Sequence, residues 1–235
     1  MLGVVGLRAW RGRTPVLFDV SFAVEAGETL ALVGPNGAGK TSTMTAIMGG
    51  IRSEGAVHLG EVRVDRWTTL RRARAGISLV PEGRRLFPGM TVRENLVVGL
   101  RRTELSRLDG ILAVFPRLEG KLARRITDLS GGEQQMVAIG RSLLRAPKVL
   151  LLDEPSLGLA PGVIADLYRL LGELQSRGTT MLLAESSIPR ASEIANRLCL
   201  IKSGVSESIV FASDRAAVSE LEVAALGGTD TTGAS

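Results

Sequence analysis

Cysteine and histidine are nearly missing from this sequence, with one of each in 235 residues. The lone Cys199 excludes an intrachain disulfide. Its setting, Leu198-Cys199-Leu200-Ile201, is that of a small core residue rather than a reactive thiol. His58 has no histidine or cysteine near it in sequence and reads as a surface residue, not a metal ligand. Aromatic residues make up only 3%, so a core must come from Leu, Val, Ile and Ala, and no base-stacking platform is available. No uncharged apolar run approaches the ~20 residues of a membrane-spanning helix. No charged stretch followed by an apolar core and a cleavage site opens the chain. These absences point to a cytosolic protein whose membrane association, if any, comes through a partner.

Hydrophobic residues at 45% and charged residues at 23% describe an ordinary globular chain with a substantial core. The formal net charge is +5. The pairs Arg71-Arg72, Arg84-Arg85, Arg101-Arg102 and Arg124-Arg125 carry much of the positive side. They are scattered and have no interleaved aromatics, so they read as solvated helix faces and no nucleic-acid partner is expected.

Strand-like and helix-like runs alternate through most of the length, which predicts an α/β domain over residues 1–227. Thr29 to Val33 is an apolar run ending at Gly34, and Lys40 to Met48 follows as a helix closed by Gly49-Gly50. Val149 to Leu152 reads as a strand buried on both faces, and Thr180 to Ala184 as another. Between them Pro161 opens a helix with Ile164, Leu167, Leu170, Leu171 and Leu174 on one face, ended by Gly178. From about residue 85 to 145 the pattern is mostly helical, for example Val92 to Leu100 and Gly131 to Leu144. This predicts a helical subdomain inserted into the sheet domain. The tail, 228–235, has almost no apolar content and is expected to be disordered.

Gly34-Pro35-Asn36-Gly37-Ala38-Gly39-Lys40-Thr41 fits the P-loop pattern, with a strand before it and a helix after it. The glycines let backbone N–H groups turn toward phosphate oxygens, and the helix directs its positive end at the same anion. Lys40 is expected to reach the β- and γ-phosphates of ATP, Thr41 to bind Mg²⁺, and Ser42 to add a hydrogen bond. The strand Val149 to Leu152 runs into Asp153 and Glu154, at the end of a parallel sheet where ligands bind. Asp153 suits the Mg²⁺ shell, and Glu154 suits polarising a water for in-line attack on the γ-phosphate. Leu129-Ser130-Gly131-Gly132-Glu133 contains a capping box from Ser130 to Glu133. Two glycines in a first helical turn are costly, and a close backbone approach would explain them.

With these residues the sequence resembles an ABC-transporter nucleotide-binding subunit over nearly its whole length. Leu129 to Glu133 is similar to the family signature. That resemblance implies that Ser130, Gly131, Gly132 and Glu133 contact ATP held by the P-loop of a second ATPase subunit, so that two ATPs lie between two protomers. Ser156-Leu157-Gly158-Leu159-Ala160 resembles the loop that crosses this interface.

Val80-Pro81-Glu82-Gly83-Arg84-Arg85-Leu86-Phe87-Pro88 resembles the smaller ATPase of branched-chain amino acid importers and their amide or urea relatives. There Glu82 stands where most members have glutamine, and it is implied to report the catalytic state to the membrane permease subunits. Arg84, Arg85 and Phe87 are then permease contacts, or else surface charge and a core aromatic.

Two positions depart from the family pattern. Ser186 occupies the place of a histidine or glutamine that binds the γ-phosphate, which predicts slower hydrolysis. The adenine-stacking aromatic is replaced by Arg11, with Trp10 adjacent, and either Trp10 or Arg11 can stack. The span from Gly50 to Gly76 also looks trimmed.

The resemblance therefore implies an ATPase energising an importer, peripheral on the inner face of the membrane. Its dimer partner is a copy of itself or a different ATPase. A non-transport member acting on ribosomes or DNA would be expected to carry two ATPase domains, zinc sites or coiled-coil insertions. A regulatory subunit without hydrolysis is disfavoured by the presence of Lys40, Asp153 and Glu154.

Overall fold

The computed structural model describes residues 1–226; the tail read above as disordered lies outside them. The chain opens with two long strands, β1 (Leu2–Arg11) and β2 (Thr14–Val24), and then β3 (Thr29–Val33), α1 (Lys40–Ile47), β4 (Arg52–Leu59), β5 (Val62–Arg63), α2 (Thr69–Ala75) and β6 (Ile77–Val80). A mostly helical stretch follows, with α3 (Val92–Val97), α4 (Leu108–Val114), α5 (Gly131–Leu143) and short 3₁₀ turns between them. The chain then returns to the sheet through β7 (Val149–Asp153), α6 (Pro161–Ser176), β8 (Met181–Glu185), α7 (Ile188–Ser192), β9 (Arg197–Lys202), β10 (Val205–Phe211) and α8 (Arg215–Ala225).

The ten strands form one sheet in the order β5-β4-β1-β2-β10-β9-β3-β8-β7-β6. Strands β9, β3, β8, β7 and β6 run parallel. The N-terminal strands β1, β2, β4 and β5 pair antiparallel. This antiparallel half departs from the expected alternation of strands and helices. Its strands are half-buried and interrupted by register shifts, which blur the period-two signal.

The parallel strands are apolar on both faces because each face has its own core. Ala31, Val33, Leu150, Leu152, Leu183 and Leu200 pack toward the helical segment and α6. The alternate residues Leu30, Leu32, Leu151, Leu182, Cys199 and Ile201 pack toward α1 and the antiparallel strands. Burying one such side chain stabilises the fold by roughly 1.5–3 kcal/mol. Cys199 lies fully inside, and burial pushes its thiol up to about 12.

The arginine pairs are not all solvated. Arg72 is buried, and its guanidinium donates to the carbonyls of Ala46 (2.9 Å), Ile47 (2.7 Å) and Trp67 (3.1 Å). Ala46 and Ile47 end α1, so Arg72 supplies a cation where a helix leaves carbonyls unpaired and its dipole is negative. The alternative of a core aromatic at Phe87 also fails, because that side chain is 46% exposed.

Candidate functional site

The parallel register brings three strand ends to one edge of the sheet. Val33 lies opposite Glu185, and Asp153 lies opposite Ala184. The loops leaving β3, β7 and β8 therefore open into one cleft, the place where an open parallel sheet binds ligands. The cleft encloses about 780 Å³ and is lined among others by Lys40, Thr41, Glu82, Glu154 and Ser186.

The loop after β3 wraps back on itself before α1. Gly34 has φ +142°, and a Cβ there would stand 2.1 Å from the Ile201 carbonyl oxygen, so only glycine fits. Gly39 caps α1 in the left-handed region without a side-chain bond, leaving the first N–H groups of the helix facing the cleft. Lys40 Nζ donates to the carbonyls of Gly34 (2.7 Å) and Pro35 (3.2 Å) and lies 3.3 Å from Glu154 Oε1. A positive side chain, bare amides and a helix N-terminus converge here, and together they suit a polyphosphate.

Thr41 Oγ1 donates to Asp153 Oδ1 at 3.0 Å. Asp153 is almost fully buried. Burial is the main cause that pushes its carboxyl above the usual range, with the Glu154 and Glu82 carboxylates adding to it. The Thr41 hydroxyl and the Glu82 N–H pull the other way. A buried acid raised by neighbouring negative charge is a site that a divalent cation would relieve. No cluster of three or more His, Cys, Asp or Glu suited to a metal occurs among the described residues. A hydroxyl beside one carboxylate is instead a donor set for Mg²⁺, which takes few protein ligands and completes its shell with phosphate and water.

Glu154 follows directly and has φ +46°, a region non-glycine residues occupy only under constraint. Ser186 Oγ lies 2.5 Å from Glu154 Oε1, 2.9 Å from Asn36 Oδ1 and 3.1 Å from Lys40 Nζ. The serine at this position therefore touches both the phosphate loop and the acid proposed to act on water.

At the base end, the structure separates Trp10 from Arg11. Neighbours on a strand point to opposite faces. Trp10 pairs with Arg52 in the β1–β4 register, and the Arg52 guanidinium covers its ring at 4.7 Å. Arg11 lines the cleft, with its Nε 3.3 Å from Ser42 Oγ. Trp10, expected as an alternative stacking residue, does not line the cleft.

Ser130 caps α5 in a complete capping box with Glu133: the Ser130 N–H donates to Glu133 Oε2 (3.0 Å) and the Glu133 N–H to Ser130 Oγ (3.4 Å). A salt bridge from Lys121 holds Glu133 below the usual carboxylate range. The Gly132 requirement has a packing cause that the sequence did not show. A Cβ at Gly132 would stand 2.2 Å from Val163 Cγ1 on α6.

Arg84 and Arg85, both at positive φ, form a bend between Glu82 and the helical segment. Arg84 Nε donates to Gln135 Oε1 (3.1 Å), and Arg141 donates to the Arg84 and Arg85 carbonyls (3.2 and 3.0 Å). The loop carrying Glu82 is thus fastened to α5, the helix that Ser130 opens. Sequence reasoning missed Arg141, because it belongs to no local motif, and did not show that Gln135 beside the signature receives Arg84.

Residues 17–157 match the ABC transporter family. The chain is 39% identical over 215 residues to the high-affinity branched-chain amino acid transport ATP-binding protein BraG of Pseudomonas aeruginosa, covering 87% of this chain and 90% of that protein. It is 37% identical over 198 residues to the Nod factor export ATP-binding protein I of Rhizobium meliloti, covering 82% of this chain and 59% of that protein. Among solved structures, an ATP-binding subunit of an ABC transporter superposes with a TM-score of 0.81 at 29% identity, covering 96% of this chain and 99% of that one. The ADP conformation of the ATP-binding cassette MJ1267 superposes with a TM-score of 0.80 at 25% identity, covering 95% and 98%. The cleft at the strand ends and these likenesses agree, and the chain belongs to the ABC transporter ATP-binding subunits, as an ATPase of that family.

Proposed function

We propose that this ATPase energises an importer of branched-chain amino acids or related amides. The observation that carries the ATP chemistry is the meeting of Lys40, Thr41, Asp153 and Glu154 at one point of the cleft. The support for import and for the solute class is the likeness to BraG over nine-tenths of that protein, against the partial span of the export relative.

The backbone from Gly34 to Thr41 cradles the β- and γ-phosphates, and Lys40 exchanges its carbonyl partners and Glu154 for phosphate oxygens. Thr41 and Asp153 would hold Mg²⁺, which when bound would supply positive charge against the phosphate oxygens. Glu154 orients the attacking water and accepts its proton. Arg11 supplies a planar guanidinium for the adenine. Ser130, Gly131, Gly132 and Glu133 present the start of α5 to nucleotide on a second ATPase subunit, and Leu157, 57% exposed in the loop between β7 and α6, is buried by that closure. Glu82, fastened to α5 through Arg84 and Arg141, carries the state of the site to integral membrane permease subunits. The protein is then peripheral at the inner face of the membrane. No helix among the described residues is long and apolar enough to cross one.

Calorimetry of the purified chain with and without Mg²⁺ tests the nucleotide site, and Mg²⁺-dependent ATP uptake is expected. Liposomes carrying the complex with its cognate permease and binding protein test the solute. Leucine uptake driven by internal ATP is expected. Transport indifferent to leucine, isoleucine and valine would overturn the solute assignment while leaving the ATPase intact.

A further inference from the structure

Glu185, the last residue of β8, is 2% exposed and has no role in the phosphate chemistry above. Its Oε2 accepts from Tyr168 OH of α6 (2.5 Å) and from Ser156 Oγ (2.8 Å). Its Oε1 accepts from the backbone N–H groups of Ser186 (3.0 Å) and Ser187 (3.1 Å). Arg190 stands 3.6 Å from the same oxygen and also donates to Ser156 Oγ at 2.9 Å. A carboxylate has about four lone-pair sites, and here four donors and a guanidinium use them. Burial and the adjacent carboxylate push the Tyr168 phenol above its ordinary range, so it stays a donor.

The donors belong to three elements. Tyr168 comes from α6, Ser156 from the loop after β7, and Ser186 and Ser187 from the loop after β8. The loop after β7 carries Glu154 two residues before Ser156. The loop after β8 carries Ser186, whose hydroxyl touches Glu154. Glu154 sits at positive φ, and its own N–H donates to the Ala184 carbonyl at 3.0 Å. A strained backbone of this kind persists only where its surroundings over-determine it. The surroundings of Glu154, before and behind, converge on one buried carboxylate.

We propose that Glu185 is a positioning residue for Glu154, clamping the loops after β7 and β8 so that the acid and Ser186 hold their relative places during hydrolysis. The proposal rests on the reading of Glu154 as the residue that orients water. Glu185→Gln keeps the shape but turns one acceptor oxygen into an NH₂ group. That group faces either two hydroxyl donors or two backbone N–H groups, and buried donors left in opposition are costly.

The test measures steady-state phosphate release, MgATP affinity and melting on the assembled transporter, for wild type, Glu185→Gln, Tyr168→Phe, Glu154→Gln and the Glu154→Gln/Glu185→Gln double variant. Glu185→Gln is expected to lower kcat by about tenfold or more while KM and Kd for MgATP stay within about twofold, and Tyr168→Phe to lower kcat by a smaller factor. The double variant is expected to be no slower than Glu154→Gln alone, because Glu185 acts through Glu154. Wild-type kcat in Glu185→Gln would overturn the proposal. So would a double variant slowed by both factors, or a loss of affinity that parallels the loss of kcat. If Glu185→Gln does not fold, Tyr168→Phe decides by the same split. Wild-type turnover in Glu154→Gln would overturn the reading of Glu154 and this proposal with it. An inactive Glu154→Gln beside a fully active Glu185→Gln would overturn this proposal alone.

Discussion

The Lys40 ammonium stands 3.3 Å from the Glu154 carboxylate, and both side chains are largely shielded from solvent. The group proposed to grip the terminal phosphate and the group proposed to act on water therefore share one point of the cleft. Glu154→Gln keeps the shape and removes the proposed base. It also frees Lys40 from a competing anion. Turnover is expected to fall by about 10²–10³-fold, the scale of a lost general base, with MgATP affinity unchanged or tighter. Phosphate-release kinetics beside a fluorescent-nucleotide titration check both parts. Normal turnover would remove Glu154 from the reaction.

Ser186 reaches Glu154, Asn36 and Lys40 but extends no further into the cleft than its hydroxyl. On the proposed reading, contact with a γ-phosphate would pass through a bridging water. A longer amide at this position can donate directly to the phosphate oxygen, where charge develops. Ser186→Gln is expected to raise kcat several-fold, on the order of one extra hydrogen bond to a charged group. An unchanged kcat would show that the serine does not limit hydrolysis.

Gly132 and Val163 meet where α5 starts against α6. Adding a methyl group at Gly132 drives a Cβ into Val163 Cγ1, and valine has little rotamer freedom with which to yield. Gly132→Ala is expected to cost about 1–3 kcal/mol, the usual range for overpacking. Val163→Ala in the same chain should return most of it. Denaturant unfolding of the two single variants and the pair measures the coupling. Additive losses would show that the glycine is needed for something other than this contact.

How much of this was legible in the sequence follows from distance along the chain. The phosphate loop, the acidic strand end and the Ser130 capping box are local, and their neighbours in sequence carry the physics. Runs such as Val149 to Leu152 declared themselves as strands because both faces are buried. The antiparallel strands did not, because bulges near Gly6 and Gly55 break their alternation. Interactions between distant segments left no local trace. Nothing beside Arg72 in sequence announces that its partners are the carbonyls ending α1. Nothing beside Trp10 shows that strand pairing turns it toward Arg52 and leaves Arg11 at the cleft. The four donors gathered on Glu185 likewise span three elements.

Arg72 provides a stability test away from the chemistry. Truncating it strands the Ala46, Ile47 and Trp67 carbonyls, at about 1–3 kcal/mol for each buried group that water does not reach. Arg72→Ala is expected to lower stability by about 3 kcal/mol, or roughly 6–12 °C in Tm for a chain of this size. Arg72→Lys should recover only part, because a single ammonium cannot reach carbonyls spread around a planar fork. Calorimetry of the three proteins decides it, and equal Tm values would mean that the hydrogen bonds of the buried Arg72 add nothing to stability.

Glu28 opens the turn into β3 and meets Arg197 at the start of β9, with Arg197 Nε 2.6 Å from Oε1 and an Arg197 terminal nitrogen 2.9 Å from Oε2. The Glu25 N–H donates to the same carboxylate at 2.7 Å. Burial raises its pKa, but the Arg197 and Glu25 hydrogen bonds and the positive charges of Arg197 and the N-terminus outweigh it. The net shift is downward from 4.5. A carboxyl whose folded pKa is depressed contributes stability above its unfolded pKa and loses it as pH falls through the folded value. Glu28→Gln should therefore be less stable than wild type near pH 7, by about 1–2 kcal/mol for the loss of a charge-assisted pair. The gap should close as pH drops below about 4.5 toward the folded pKa. Urea unfolding of both proteins across that window measures the closure. A gap that stays constant with pH would show that packing, and not the ion pair, is what the substitution removes.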